Sequence, residues 1–251
     1  MSDPVLEARG LVRRFGALTA TDDVSFAIEP GARQALIGPN GAGKTTLINL
    51  LTGVIKPNTG QVWLAGRDVT RLASSARVRL GLSRTFQINQ LFPDLTPAES
   101  LGLAISERNG SGADFWRTAG SRPAIVAEIA DLLMRFGLEA EMDLPTRKLA
   151  YGKQRLLEIA LALAARPRVL LLDEPAAGVP EEERRDILAA LAALPSDVAI
   201  LLIEHDMDLV FNFAERISVM VAGRLLTEGA PEAIAADERV RAVYLGEDAH
   251  G

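Results

Sequence analysis

The stretch Gly38-Pro39-Asn40-Gly41-Ala42-Gly43-Lys44-Thr45-Thr46 has the spacing G-x-x-x-x-G-K-[ST]. That pattern suits phosphate. Its glycines let the backbone curl until successive N–H groups face an anion, and a helix starting nearby adds the positive end of its dipole. Lys44 offers an ammonium to the β- and γ-phosphates of a nucleoside triphosphate, and the Thr45 hydroxyl suits Mg2+. Such a loop needs an acidic metal partner at the end of a buried strand, and Val169-Leu170-Leu171-Leu172-Asp173-Glu174-Pro175 provides one. Asp173 would organise the Mg2+ shell, while Glu174 could orient or deprotonate an attacking water.

These groups act together only if regular elements carry them to one place. The apolar run Ala35-Leu36-Ile37 leads into the glycine loop, and Leu47, Ile48, Leu50 and Leu51 follow with helical spacing. That is strand, loop, helix, the opening of a parallel α/β unit. Val169 to Leu172 and Val198 to Ile203 are continuous apolar runs, as strands buried on both faces read. In a parallel sheet their ends share one side, so His205, after the second run, falls beside Asp173 and the phosphate loop. Helices are expected from near Tyr151 and near Pro180, the second opening with Glu181-Glu182-Glu183, charges that favour a helix N-terminus.

Elsewhere, Val24 to Ile28 alternates and ends at Glu29-Pro30-Gly31, Val62 to Gly66 reads as a half-buried strand, and Ile217 to Leu226 reads as a hairpin turning at Ala222-Gly223. The stripe Ile125, Ile129, Leu132, Leu133 and Phe136 marks a helix. The expected fold is α/β, of the P-loop type, with a mostly parallel core sheet, an N-terminal antiparallel β lobe and an inserted helical lobe. A single domain over 1–251 is expected, with lobes at 1–93 (antiparallel strands and the phosphate loop), 94–150 (helical) and 151–251 (the remaining core).

Composition removes several alternatives. The chain has 251 residues, Lys+Arg 27 against Asp+Glu 33, a net charge of −6, no cysteine and two histidines. Disulfides, thiolate zinc, iron–sulfur clusters and a cysteine nucleophile are excluded, and two histidines cannot make a three-His metal site. A mildly acidic chain without a basic block argues against a nucleic-acid partner. The longest charge-free stretch, Thr45 to Ile55, is far short of the roughly 20 apolar residues of a bilayer span. The acidic start Met1-Ser2-Asp3-Pro4-Val5-Leu6-Glu7 lacks an apolar leader, so a soluble, cytoplasmic protein is expected.

With these residues in place, the sequence resembles the ATP-binding cassette (ABC) transporter ATPases along nearly the whole chain. Phe15 stands where that family has an aromatic that stacks on adenine. Gln87, in Arg84-Thr85-Phe86-Gln87, matches the glutamine that senses the γ-phosphate and Mg2+ and contacts the membrane subunits. Leu149-Ala150-Tyr151-Gly152-Lys153 occupies the signature position, and His205 matches the switch histidine. The resemblance implies ATP with Mg2+, and a head-to-tail dimer with a second ATPase subunit. Gly38 to Thr46, Phe15, Gln87, Asp173, Glu174 and His205 would form one half-site, with Ala150, Tyr151, Gly152 and Lys153 facing the other subunit's γ-phosphate. It also implies two membrane permeases and a place on the inner face of the membrane.

The sequence departs from the family pattern at two points. Ala150 replaces the signature serine, Tyr151 its first glycine and Lys153 its glutamine. Losing the hydroxyl removes a charge-assisted hydrogen bond of typically about 1.5–3 kcal/mol, though Gly152 and the following helix start can still present N–H groups. Pro175-Ala176-Ala177-Gly178-Val179-Pro180 lacks the acid of the family's D-loop and is one residue short. Together with Glu204-His205-Asp206-Met207 and Tyr244-Leu245-Gly246-Glu247, these features resemble the importers of branched-chain amino acids, which pair two different ATPases with two permeases and an extracytoplasmic binding protein. A soluble ABC ATPase, an exporter cassette and a urea or amide importer stay open, as does a homodimer. The segment Phe86 to Pro93 either lines the groove for a permease helix or packs between lobes.

Overall fold

The computed structural model describes residues 3–85, 91–110 and 123–245. Two compact units divide the chain: Met1–Leu82 with Arg168–Glu174 and Ser196–Gly251, and Ser83–Pro167 with Pro175–Pro195.

The first unit holds two sheets. Strands β1 (Leu6–Phe15), β2 (Leu18–Ile28), β4 (Thr59–Leu64) and β5 (Arg67–Asp68) form an antiparallel sheet in the order β2-β1-β4-β5. In β2, Val24, Phe26 and Ile28 are buried while Ser25 is exposed, the period-2 pattern of a strand with one face on a core. The run Val62 to Gly66 is a strand only as far as Leu64. Ala65 and Gly66 have φ of 47° and 75°, and two consecutive positive φ values make the tight turn that pairs β4 with β5.

The second sheet has the order β10-β9-β3-β8-β7-β6, made of β3 (Arg33–Ile37), β6 (Leu82–Arg84), β7 (Val169–Asp173), β8 (Ala199–Ile203), β9 (Arg216–Val221) and β10 (Arg224–Gly229). Strands β9, β3, β8 and β7 are parallel neighbours, and β10 closes the edge as an antiparallel hairpin with β9. Every residue of β7 and β8 is buried, which is why both read as unbroken apolar runs. Helix α1 (Lys44–Thr52) leaves the phosphate loop and buries Leu47, Ile48, Leu50 and Leu51 in the core. Its C-terminal end is held by Arg77 of α2 (Ser74–Arg79), a 1 % exposed guanidinium that donates to the carbonyls of Leu50 (2.7 Å) and Leu51 (2.5 Å). Burial pushes its pKa down to about 10, so the charge persists at neutral pH and the helix end stays occupied.

The second unit is helical, with α3 (Pro97–Arg108), α4 (Pro123–Arg135), α5 (Tyr151–Ala164) and α6 (Glu181–Ala192). Thr96 and Glu99 form a reciprocal capping box at the start of α3, which satisfies two otherwise unpaired N–H groups. Helices α3, α4 and α5 pack on one another, and α6 packs on α5. The lobe boundaries read from the sequence therefore need correction. Residues 151–167 and 175–195 belong with the helical unit, because the buried face of α5, through Leu156, Leu157, Ile159, Ala160 and Leu163, packs on helices. The chain ends its described course in α7 (Met207–Phe213), α8 (Pro231–Ala236) and α9 (Glu238–Leu245), which lie in the first unit.

Candidate functional site

Parallel pairing decides where the site lies. The ends of β3, β8 and β7 lie side by side, with Leu36 opposite Ile203 and Ile203 opposite Asp173. Gly38, Glu204 and Glu174 are the next residues out at that edge or one step beyond it. Adjacent strands are about 4.8 Å apart, so the loop after β3 and the acids after β7 flank a space roughly 10 Å wide.

The loop from Gly38 to Gly43 is shaped by glycines of positive φ, at two of which a Cβ would also clash. Gly38 has φ 151°, and a Cβ there would lie 2.1 Å from the Met220 carbonyl oxygen. Gly43 has φ 100°, and its Cβ would lie 2.2 Å from the carbonyl oxygen of Ala20. Gly41 (φ 77°) has open space around it. The turn of the β9–β10 hairpin braces the loop from behind, since Gly223 N–H donates to the Ala42 carbonyl at 2.9 Å and its own carbonyl accepts from Asp22 N–H at 2.8 Å. Asn40 and Thr45 are exposed, Pro39 and Thr46 half-buried and Ala42 buried. The Lys44 side chain curls back into the loop, 8 % exposed, where its ammonium donates to the carbonyls of Gly38 and Pro39. That hold places a positive charge inside the curl that faces an anion.

Asp173 ends β7 with 3 % exposure. At Glu174 the backbone turns into the left-handed region, φ 50°, while its N–H donates to Ile203 O at 2.8 Å. A non-glycine residue in that conformation costs on the order of 1 kcal/mol or more. The turn sets the Glu174 carboxylate against the His205 imidazole, with Oε1 and Nε2 3.0 Å apart. Half of the His205 side chain is exposed and most of Glu174 is covered, 51 % against 21 %. Glu204, which sequence reasoning noted only as part of a motif, is 3 % exposed, and its Oε2 accepts from the His205 N–H at 3.2 Å. Asp206 then caps α7 by accepting from Leu209 N–H at 3.2 Å. Both neighbours thus fix the backbone that carries the imidazole.

Phe15 stands at the end of β1, 45 % exposed, with the Arg13 guanidinium 4.6 Å from its ring centre. It is a surface aromatic, open to a planar ligand, and takes no part in the core. Gln87 and residues 86–90, with Asn89, lie outside the described residues.

The signature residues belong to the second unit. Ala150 precedes α5 as its N-cap and contributes no side-chain hydrogen bond. The Tyr151 hydroxyl accepts from Arg155 at 2.7 Å and donates to the Ala177 carbonyl at 3.4 Å. Gly152 N–H donates to Glu183 Oε2 of α6 at 2.7 Å, and the Lys153 ammonium donates to the Gly137 carbonyl at 2.6 Å. Both groups expected to face a phosphate have partners within the chain. The Gly152 amide is already occupied by a carboxylate of the same chain, and Lys153 is committed to the loop after α4.

A loop that curls amides around a lysine, next to a strand-end acid pair and a histidine, defines a nucleotide-hydrolysing P-loop protein. A family model described as ABC transporter matches residues 21–177, and one described as branched-chain amino acid ATP-binding cassette transporter matches residues 224–250. The chain is 40 % identical over 254 aligned residues to the high-affinity branched-chain amino acid transport ATP-binding protein BraF of Pseudomonas aeruginosa, covering 98 % of this chain and all of that one. It is 39 % identical, with the same coverage, to the corresponding protein LivG of Escherichia coli. Among solved structures, the ADP conformation of an ATP-binding cassette of an ABC transporter superposes with TM-score 0.83 at 30 % identity, over 98 % of this chain and all of that one. The chain belongs to the ABC transporter ATPase family. It binds and hydrolyses ATP through this fold.

Proposed function

We propose that the chain is one of the ATPase subunits of an importer for branched-chain amino acids. What carries this reading is the likeness to BraF and LivG over nearly the full chain, joined by the separate match of residues 224–250 to the branched-chain transporter family. Its partners are a second ATPase subunit, two membrane permeases and, through them, an extracytoplasmic binding protein. No helix among the described residues is long and apolar enough to cross a membrane, so the chain would sit peripherally on the inner face, held by the permeases.

The residues divide the work as follows. Phe15 stacks on adenine, Gly38 to Gly43 present amides to the β- and γ-phosphates, and Lys44 transfers its hydrogen bonds from two carbonyls to phosphate oxygens. Thr45 and Asp173 hold Mg2+, with Gln87 as a further contact. The donor set suits that ion: Mg2+ keeps most of its waters and takes one or two protein oxygens plus phosphate, and no acidic or histidine cluster capable of a dedicated cage exists among the described residues. Bound there, the ion would neutralise charge on the transferring phosphoryl group. Glu174 orients or deprotonates the attacking water, and His205, tied to Glu174, contacts the γ-phosphate. Ala150 to Lys153 approach the nucleotide of the other subunit, so that ATP closes the dimer and hydrolysis reopens it. Turnover in the assembled transporter tests this: Lys44→Ala and Glu174→Gln should each lose at least about a hundredfold in rate. Wild-type rates in both would overturn it, as would purification without permeases. Uptake of radiolabelled leucine competed by other amino acids, amides and urea identifies the substrate.

A further inference from the structure

The amide of Gly152 is a group that the signature would offer to a neighbouring subunit's phosphate, and in this chain it is engaged. Helix α5 begins after Ala150, which has no side chain able to cap it. Its first-turn N–H groups therefore have to find an acceptor elsewhere. Glu183 supplies it from α6, with Oε2 2.7 Å from Gly152 N. The fit is close enough that a Cβ at position 152 would lie 2.2 Å from the same oxygen. Glu181 and Glu182, on the same turn, are exposed, whereas Glu183 is half-buried against the amide. Nearby, Tyr151 bridges the Arg155 guanidinium and the Ala177 carbonyl, which holds the start of α5 to the segment entering α6.

A carboxylate on a helix N-terminus is the protein's own equivalent of a phosphate there, with the same sign and the same oxygen acceptor. We propose that Glu183 is a latch, a carboxylate that occupies the Gly152 amide in place of the opposing subunit's γ-phosphate and must swing away before the ATP-bound dimer closes. This rests on the proposed role of Ala150 to Lys153 toward the second subunit's nucleotide. A serine at position 150 would cap the helix from within its own turn, whereas alanine leaves the amide to a distant acid. The latch therefore belongs with the altered signature. Closure then selects only molecules with Glu183 released, and the apparent affinity for ATP falls by the fraction released.

The latch makes a prediction opposite to that of a plain structural cap. In the assembled transporter, the ATP dependence of hydrolysis is measured for wild type, Glu183→Gln and Glu183→Ala. The glutamine keeps an acceptor but loses the charge, and the alanine loses both, so apparent KM should fall stepwise from wild type through Gln to Ala, by about three- to tenfold in total, while kcat is unchanged or rises. KM unchanged or raised in the alanine variant, with its melting temperature near wild type, overturns the latch. Because the alanine change risks loosening α5, the glutamine variant carries the same test with the contact geometry kept. Lys44→Ala run alongside separates the two readings. If it abolishes hydrolysis while the Glu183 variants leave KM unmoved, only the latch fails; if it too leaves hydrolysis intact, the ATPase assignment fails.

Discussion

Around Gly38 to Thr46 the groups that face an anion are main-chain amides and the Lys44 ammonium, set by glycines of positive φ, two of them also crowded by carbonyl oxygens. At Ala150 to Lys153 each contact of the helix start involves a side chain: the Glu183 carboxylate on the Gly152 amide, the Tyr151 hydroxyl between Arg155 and the Ala177 carbonyl, and the Lys153 ammonium on the Gly137 carbonyl. Backbone-built sites are rigid and come with their charge preference fixed by the helix dipole. Side-chain-built ones can rearrange, because a rotamer change costs far less than refolding a loop. The phosphate loop is the rigid one of the two. The helix start proposed above to face a second subunit is the adjustable one.

The sharpest way to break this contrast is at the phosphate loop. Gly43→Ala would place a methyl 2.2 Å from the Ala20 carbonyl at φ 100°, and both the clash and the strain should cost several kcal/mol, of order 3 or more, with loss of nucleotide binding measured by fluorescence titration. Gly41→Ala has the positive φ of 77° but nothing within 4 Å, and only the conformational cost of about 1 kcal/mol should appear. Equal effects at the two positions would mean that crowding from Ala20 does not shape the loop. At the other half, Tyr151→Phe removes a hydroxyl that takes one hydrogen bond from Arg155 and should cost about 1 kcal/mol in denaturant unfolding, with binding of nucleotide to the isolated subunit untouched. A comparable loss of nucleotide affinity would erase the distinction between the halves.

The smallest effect concerns the helical unit alone. The Arg108 guanidinium, at 2.7 Å, holds the Glu128 carboxyl below its usual range, with Arg166 adding to it. A carboxylate lowered in the folded state stabilises at pH values above its unfolded pKa, near 4.3, and that contribution is lost as pH falls through the lower folded value. Arg108→Ala should therefore cost about 1 kcal/mol at pH 7, in a pair whose side chains are 17 % and 21 % exposed. The part owed to the Glu128 charge should shrink as pH falls below about 4.3 in melts run across acid, leaving the part owed to the Arg108 bond to the Ala164 carbonyl.

Sequence reading succeeded where local pattern and long-range placement say the same thing. A glycine loop between an apolar strand and a helix, or an unbroken apolar run ending in Asp173-Glu174, specifies both its element and its neighbours, because parallel strands share an end. It was silent on β1, whose alternation is interrupted at Gly10 by a shift of register against β2. It misassigned α5 and α6 between lobes, since an amphipathic stripe says that a helix is packed but not on what. The left-handed turn at Glu174 carries no glycine or asparagine to announce it. The Glu183 contact joins residues 31 positions apart, and three consecutive glutamates at a helix start give no hint which one turns inward. Lys153 stands where type and place suit a phosphate, and no local pattern announces that its ammonium donates to a carbonyl sixteen positions earlier.

The hairpin turn behind the phosphate loop bears on the order in which the protein is made. Arg224, next to that turn, pairs with Asp22 across 202 residues, and Gly223 completes the loop at Ala42. At about 5–20 residues per second, the loop Gly38 to Thr46 would have left the ribosome on the order of 10 s or more before the strand that braces it exists. Nascent cassettes would thus present an unfinished loop until the β9–β10 hairpin has been made.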